Sequence, residues 1–351
     1  MSSSPLRVAL VAPPWYEVPP EGYGGIEQVV GELANGLTAR GHKVFLLATG
    51  QDRTDATLIR TFDEPQEIGA PDAETIQLVH AARVADVLDD LEVDIVHDHT
   101  MTGPLLARAR AVPTVVTVHG PIDDALAAYY AEADVSLVAI SESQRRTAPH
   151  LSWVATVYNA IDVATYPFLA EKDDAFLFLG RFSPDKGVEE AIEIARATGR
   201  RLSIAAKCED QDEQAYYHDV IRPQLDARIR YLGSVEGDEK LELLRTSRAL
   251  LFPIQWEEPF GMVMIEAMVC GTPVLATERG SVPEVVVDGV TGFVRRDVGD
   301  LIEAARRIDE IDPDACRAHV LERFNVPALC EGYESAYERV LEGAVRGRLP
   351  A

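Results

Sequence analysis

The sequence predicts an α/β protein built on two parallel sheets. Apolar, β-branched runs of strand length alternate throughout with longer stretches of helical periodicity. Residues 162–174, with Pro167 and a charged Glu-Lys-Asp-Asp, interrupt that alternation as a linker would, and a fresh strand–helix series begins after them. A chain of 351 residues with 47% hydrophobic content has material for two domains with separate cores.

In the first half, strands are expected at 6–12, 44–48, 95–97, 114–119, 135–140 and 154–158. The apolar run at 8–12 follows a single Arg and is too short for the core of a signal peptide, so 6–12 reads as a first strand. Helices fall between the strands at 26–40, 73–91 and 123–133, and Gly41 stops the first of them. In the second half, strands are expected at 176–180, 202–206, 229–232, 249–254 and 274–277, and helices at 187–198, 211–225, 239–246 and 261–269. The tail from Leu301 is helical with a polar face. Domains are set at 1–166, joined by a C-terminal helix 326–351, and at 167–325. Two successive parallel sheets imply two Rossmann-like units facing across a cleft, with ligands outside the carboxyl ends of the strands.

Composition excludes several partners. The formal net charge is −25, which leaves no general footprint for nucleic acid and suits docking on anionic lipid poorly. Four cysteines without paired short spacing fit a reducing, cytoplasmic setting and argue against a zinc cluster. No apolar run reaches the length of a membrane span.

The chemistry-bearing residues gather at expected strand ends. Glu258 and Glu266 flank Pro259-Phe260-Gly261-Met262-Val263, a strand-to-helix turn whose free backbone N–H groups favour a phosphate, while the carboxylates accept bonds from vicinal hydroxyls; a solvated acidic loop is the plain alternative. Gly180-Arg181-Phe182-Ser183-Pro184-Asp185-Lys186-Gly187 offers a guanidinium fork and an ammonium at another strand end, suited to a diphosphate. Gly22-Tyr23-Gly24-Gly25-Ile26-Glu27 opens a helix and lets backbone approach a phosphate, yet it is not the dinucleotide fingerprint, because Glu27 stands where the third Gly belongs. His119-Gly120 follows a strand, and its imidazole either donates to a substrate oxygen or bonds within its own loop. His97-Asp98-His99 has metal-ligand types but no third ligand at suitable spacing, so no metal site is assigned. Gly280-Ser281 presents further backbone donors, although turn chemistry explains most of that segment.

In this order the motifs resemble glycosyltransferase family four, retaining enzymes of the GT-B fold. The resemblance rests on Tyr23-Gly24-Gly25-Ile26-Glu27, Arg40-Gly41-His42, His119-Gly120, Tyr158-Asn159-Ala160-Ile161-Asp162, Gly180-Arg181-Phe182 with Lys186-Gly187, Glu258-Pro259-Phe260-Gly261 with Glu266-Ala267, Gly271-Thr272-Pro273-Val274 and Pro283-Glu284. It implies transfer of a hexose, glucose above all, from a UDP-sugar to a hydroxyl of a small-molecule or glycan acceptor, without a bound metal or other cofactor. It implies that Arg181 and Lys186 neutralise the diphosphate, and that Gly24 and Gly25 approach it from the first domain. Glu266 would hold the ribose, and Glu258 with the backbone of Phe260, Gly261, Met262 and Val263 would grip sugar and phosphate. His119 would contact the transferred sugar. Ala205-Ala206-Lys207-Cys208 departs from a frequent Gly-x-Gly, which loosens the nucleotide assignment and offers Lys207 as a further phosphate contact. The loop carrying Trp15 and Tyr16 is similar to that of a branch containing pterin glucosyltransferases and antibiotic-tailoring enzymes; these aromatics either stack an acceptor or anchor their loop. A UDP-sugar 2-epimerase, a sugar phosphorylase and a non-catalytic nucleotide-sugar-binding protein remain alternatives on the same fold. The intact set Arg181, Lys186, Glu258 and Glu266 argues against the last.

Overall fold

The computed structural model describes residues 5–22, 24–108 and 110–347; Tyr23 of the first glycine motif lies outside them. The chain forms two compact units, Met1–Ala160 with Val326–Ala351, and Ile161–Asn325.

Among the described residues the first unit holds seven strands: β1 (Arg7–Val11), β2 (Lys43–Thr49), β3 (Thr57–Phe62), β4 (Ile95–Asp98), β5 (Thr114–Val118), β6 (Ser136–Ala139) and β7 (Trp153–Thr156). They form one sheet in the order β3-β2-β1-β4-β5-β6-β7, with every pairing parallel. Its helices are α1 (Gly25–Ala39), α2 (Ala73–Asp90), α3 (Gly103–Ala107), α4 (Asp124–Ala133) and α5 (Glu142–Thr147). The second unit holds β8 (Ala175–Arg181), β9 (Arg201–Lys207), β10 (Ile229–Gly233), β11 (Ala249–Phe252), β12 (Val274–Thr277) and β13 (Gly292–Arg295), ordered β10-β9-β8-β11-β12-β13 and again all parallel. Its helices are α6 (Val188–Thr198), α7 (Gln211–Tyr216), α8 (Gly237–Thr246), α9 (Met262–Val269), α10 (Val282–Val285), α11 (Val298–Ala305) and α12 (Pro313–Arg323). A long helix, α13 (Val326–Gly347), then returns to the first unit.

Central strands of a parallel sheet are covered on both faces and therefore read as unbroken apolar runs. Val8, Ala9, Leu10 and Val11 of β1 and Ala249, Leu250 and Leu251 of β11 are almost fully buried. α13 adds Tyr333 and Tyr337, both at 0% exposure, which makes this helix part of the core of the first unit rather than an appendage.

Some expected elements differ. The helix expected at 211–225 is α-helical only to Tyr216; a π turn at Tyr217–Ile221 and a 3-10 turn at Arg222–Gln224 follow. Pro223 supplies the reason, since it lacks an N–H and its ring crowds the carbonyl four residues back. The strand expected at 249–254 stops at Phe252, before Pro253. The edge strands β3 and β13 were absent from the sequence expectation. No described helix is long and apolar enough to cross a membrane.

Candidate active site

Strand order decides where each unit presents its loops. In the second unit the order reverses between β8 and β11, and an open parallel sheet offers its ligand crevice outside the carboxyl ends at such a point. Arg181 ends β8 and the loop after it carries Phe182 to Gly187, while the loop leaving β11 carries Glu257 to Gly261.

The structure brings Lys186 and Glu258 together from these two loops. Lys186 Nζ lies 2.9 Å from Glu258 Oε2 and 4.4 Å from the centre of the Trp256 ring. Gln255 N donates to Asp185 O at 2.7 Å and fixes one loop against the other. The segment after β12 holds the Glu258 loop from its far side: Ser281 N donates to Glu258 O (2.9 Å), Ser281 Oγ to Phe260 O (2.8 Å) and Gly280 N to Glu257 Oε2 (2.6 Å). The Gly280 and Ser281 amides are thus spent on shaping this loop, in keeping with the turn reading of that segment. Gly261 is the N-cap of α9, and no side chain caps that helix. Its first-turn N–H groups, with Met262 and Val263 half-buried beside them, form an anion-favouring end next to Glu258.

Arg181 Nε donates to Glu213 Oε1 at 2.8 Å, with the arginine side chain 47% exposed and the glutamate 6%. Glu213 is held in turn, because its Oε2 accepts from Glu209 N at 2.8 Å. The arginine end of this pair is half-exposed and screened by solvent, whereas the glutamate end is buried and relies on its counter-charge. Lys207, expected as a phosphate contact, pairs with Glu209 at 2.9 Å. Phe182, Tyr217 and Tyr231 pack ring on ring beneath this edge, with centroids 4.9–5.1 Å apart. Glu266 is buried on α9, where its Oε1 accepts from Lys240 Nζ (2.7 Å) and from Tyr166 OH (3.1 Å).

In the first unit the reversal falls between β1 and β4. His97, at the end of β4, uses both ring nitrogens inside the fold, Nδ1 with Tyr337 OH and Nε2 with Thr117 Oγ1, each at 2.7 Å. Asp98 Oδ1 accepts from Thr100 N and Oγ1. Among the described residues no group of three or more His, Cys, Asp or Glu is arranged to hold a metal ion. His99 Nδ1 meets His119 Nε2 at 2.8 Å, which orients the His119 ring just past β5. Burial pushes His119 down to about 4 and His97 and His99 well below the usual histidine range, the latter two aided by the neighbouring imidazoles. His119 is therefore neutral near pH 7 and keeps one donor and one acceptor nitrogen.

The loop leaving β1 carries Trp15 and Tyr16, both half-buried. Pro14 O accepts from Gln66 N (2.9 Å), and Arg53 clamps Glu17 (2.8 Å) and Glu21 (2.7 Å), so the loop is tied to the neighbouring strand ends. Gly24 and Gly25 then open α1, again without a side-chain cap. Glu27, in the first turn, is 3% exposed, and burial raises its pKa from 4.5 to about 7.

That shift has a measurable sign. Between pH 4.5 and about 7 the folded chain holds a proton on Glu27 that the unfolded chain has lost, so its contribution is full below 4.5 and disappears as pH rises through 7. Above 7 the buried carboxylate costs roughly 3 kcal/mol. Glu27→Gln is expected to leave urea stability unchanged near pH 4 and to raise it by roughly 2–3 kcal/mol near pH 8. Parallel stability curves for variant and wild type would remove the buried carboxylate from the account.

Sequence reading missed Glu213, Lys240 and Tyr166, which hold Arg181 and Glu266, and Trp256, which lies under Lys186. Trp256 was the one with a signal, as an aromatic two residues before Glu258.

Two family models match most of the chain in succession. Glycosyltransferase Family 4 matches residues 23–165, and Glycosyl transferases group 1 matches 167–319. The glycogen synthase of Mycobacterium tuberculosis is 30% identical over 373 residues, spanning 89% of this chain and 88% of that protein. The crystal structure of AviGT4, a glycosyltransferase involved in avilamycin A biosynthesis, superposes with a TM-score of 0.70 at 27% identity, covering 97% of this chain and 99% of that one. HepE from Anabaena, solved with UDP and glucose, shares the fold with a TM-score of 0.74 at 17% identity, over 95% of this chain and 100% of that one. The chain belongs to glycosyltransferase family 4 and has the GT-B fold. It is a glycosyltransferase.

Proposed function

We propose that this glycosyltransferase moves a hexose, glucose above all, from a UDP-sugar to a hydroxyl of a small-molecule or glycan acceptor with retention of configuration. The observation that carries the reading is the convergence of Lys186, Glu258 and the uncapped N-terminus of α9 at the strand-order reversal, with Arg181 leaving the adjacent strand end. That set offers positive charge and backbone donors to a diphosphate and a carboxylate to sugar hydroxyls. Glu266 takes the ribose hydroxyls, and HepE, which shares this fold, was solved with UDP and glucose.

The bond from the anomeric carbon to the diphosphate oxygen breaks, and its electron pair leaves with the nucleotide. The acceptor oxygen bonds to the same face of that carbon, and its proton passes to the departing phosphate. Arg181 and Lys186 stabilise the charge that grows on the diphosphate, and Glu258 positions the sugar near a forming oxocarbenium. Neutral His119 serves the transferred sugar as hydrogen-bond partner. Because two side-chain cations face the diphosphate, the reaction needs no divalent ion.

Incubation with a panel of UDP-sugars tests this without knowledge of the acceptor. UDP and α-glucose are expected to be released slowly from UDP-glucose, the anomer being read by NMR before mutarotation, and excess chelator should leave the rate unchanged. Initial release of β-glucose, or an epimerised UDP-sugar as product, would sink the reading. Strict dependence on a divalent ion would overturn the metal-free scheme and bring His97, Asp98 and His99 back as ligand candidates.

A further inference from the structure

We infer that Gln144 is the positioning residue for His119. The inference rests on the placement of His119 at the transferred sugar. β5 leaves its ladder at Val118, whose last partner is Ala139 of β6, so the carbonyls around His119 have no further strand to pair with. Gln144 supplies the missing partners. Its Nε2 donates to Val118 O at 2.9 Å and to Gly120 O at 2.7 Å, the two carbonyls that flank His119. Its Oε1 accepts from Ile140 N at 2.9 Å, just past the end of β6.

Both N–H donors of the amide are engaged and its oxygen accepts one bond, so its orientation is forced. The two carbonyls can meet only the NH2 end, and the Ile140 N–H can meet only the oxygen. Gln144 is itself fixed in the first turn of α5, where Ser141 caps the helix by accepting from Gln144 N at 3.0 Å, and the residue is 4% exposed. The backbone on both sides of His119 is thereby referenced to the end of β6 through one side chain. The His119 ring is held separately, by His99. A glutamine in a short helix thus sets where the imidazole stands relative to the strand ends, and it never needs to touch substrate.

The test measures UDP release from UDP-glucose by wild type, Gln144→Met, Gln144→Glu, His119→Ala and the double variant Gln144→Met/His119→Ala. Misplacing a substrate-facing group by a fraction of its contact distance lowers kcat by roughly 10- to 100-fold. Gln144→Met is expected to show that loss with the KM for UDP-glucose unchanged, and the double variant should be no slower than His119→Ala alone. Gln144→Glu adds a readout that bulk stability does not produce. A protonated carboxyl can still donate one bond to a flanking carbonyl, whereas a carboxylate repels both, so its rate relative to wild type should rise as pH is lowered. Where Gln144→Met fails to fold, this pH series decides. Wild-type turnover in Gln144→Met while His119→Ala is impaired, losses that multiply in the double variant, or a flat relative pH profile in Gln144→Glu would each overturn the positioning role. Full activity in His119→Ala would instead overturn the placement of His119 at the sugar, and the inference with it.

Discussion

Replacing Lys186 with alanine is expected to lower kcat/KM by roughly 30- to 900-fold, a loss of about 2–4 kcal/mol of transition-state stabilisation. On the proposed function the ammonium acts on charge that grows as the nucleotide leaves, so most of the loss should fall on kcat and little on UDP-glucose binding. Lys186 sits 2.9 Å from Glu258 and against the Trp256 ring, and its removal also strips that carboxylate of its counter-charge. Arg181→Ala should lose activity on the same scale. Arg181 pairs with Glu213, which is 6% exposed, so removing the guanidinium also leaves that buried carboxylate without its counter-charge. Steady-state kinetics and thermal melts on both variants separate the effects. Near-normal turnover in either folded variant would refute its place in the diphosphate clamp.

Gly187→Ala is expected to cost about 2–4 kcal/mol of stability and to abolish most activity with it. Gly187 joins the Lys186 turn to α6 at φ 76°, and a Cβ there would stand 2.0 Å from Pro253 O and 2.7 Å from Pro253 C. Pro253 directly follows β11, so the added methyl pushes apart the two loops that bring Lys186 to Glu258. Gly199→Ala is the control. Its φ of 68° carries the same left-handed penalty, but the nearest atom to an added Cβ is Arg228 Nη1 at 4.0 Å. That variant should lose only about 1 kcal/mol and keep its activity. Equal losses in the two variants, measured by urea or thermal unfolding, would show that backbone conformation alone matters and that the approach to Pro253 does not.

Both sheets were legible in sequence because central parallel strands are apolar on both faces. Val8 to Val11 and Ala249 to Leu251 announce themselves without any partner. β3 does not, because as an edge strand it leaves Thr57 and Arg60 exposed and breaks the apolar run. The candidate site was legible as far as strand ends, since Arg181 and His119 stand directly at the end of apolar runs and Lys186 and Glu258 follow within the next loop. What holds these residues was not legible. Glu266 meets Lys240 across 26 residues and Tyr166 across 100, and Gln144 reaches the His119 turn across 24 and 26. Such pairings are set by how helices lie on a sheet, which no local pattern encodes. The Gly280 and Ser281 amides illustrate the same limit: turn chemistry was legible in that segment, but their partners Glu257 and Glu258, 23 residues away, were not.

The return of α13 to the first unit has a consequence for biosynthesis. During translation, a nascent chain that has reached Asn325 holds every residue of the second unit, Ile161–Asn325. The first unit, although begun earlier, still lacks Tyr333 and Tyr337, which in the finished protein fill its core and bond Thr117 and His97. The unit made second is the first with all its parts, and the unit made first must wait with an apolar face and a buried imidazole uncovered. Growing polypeptides in that interval present the surface that chaperones bind. Emergence of α13, rather than completion of β7, is when the histidine cluster acquires its final surroundings.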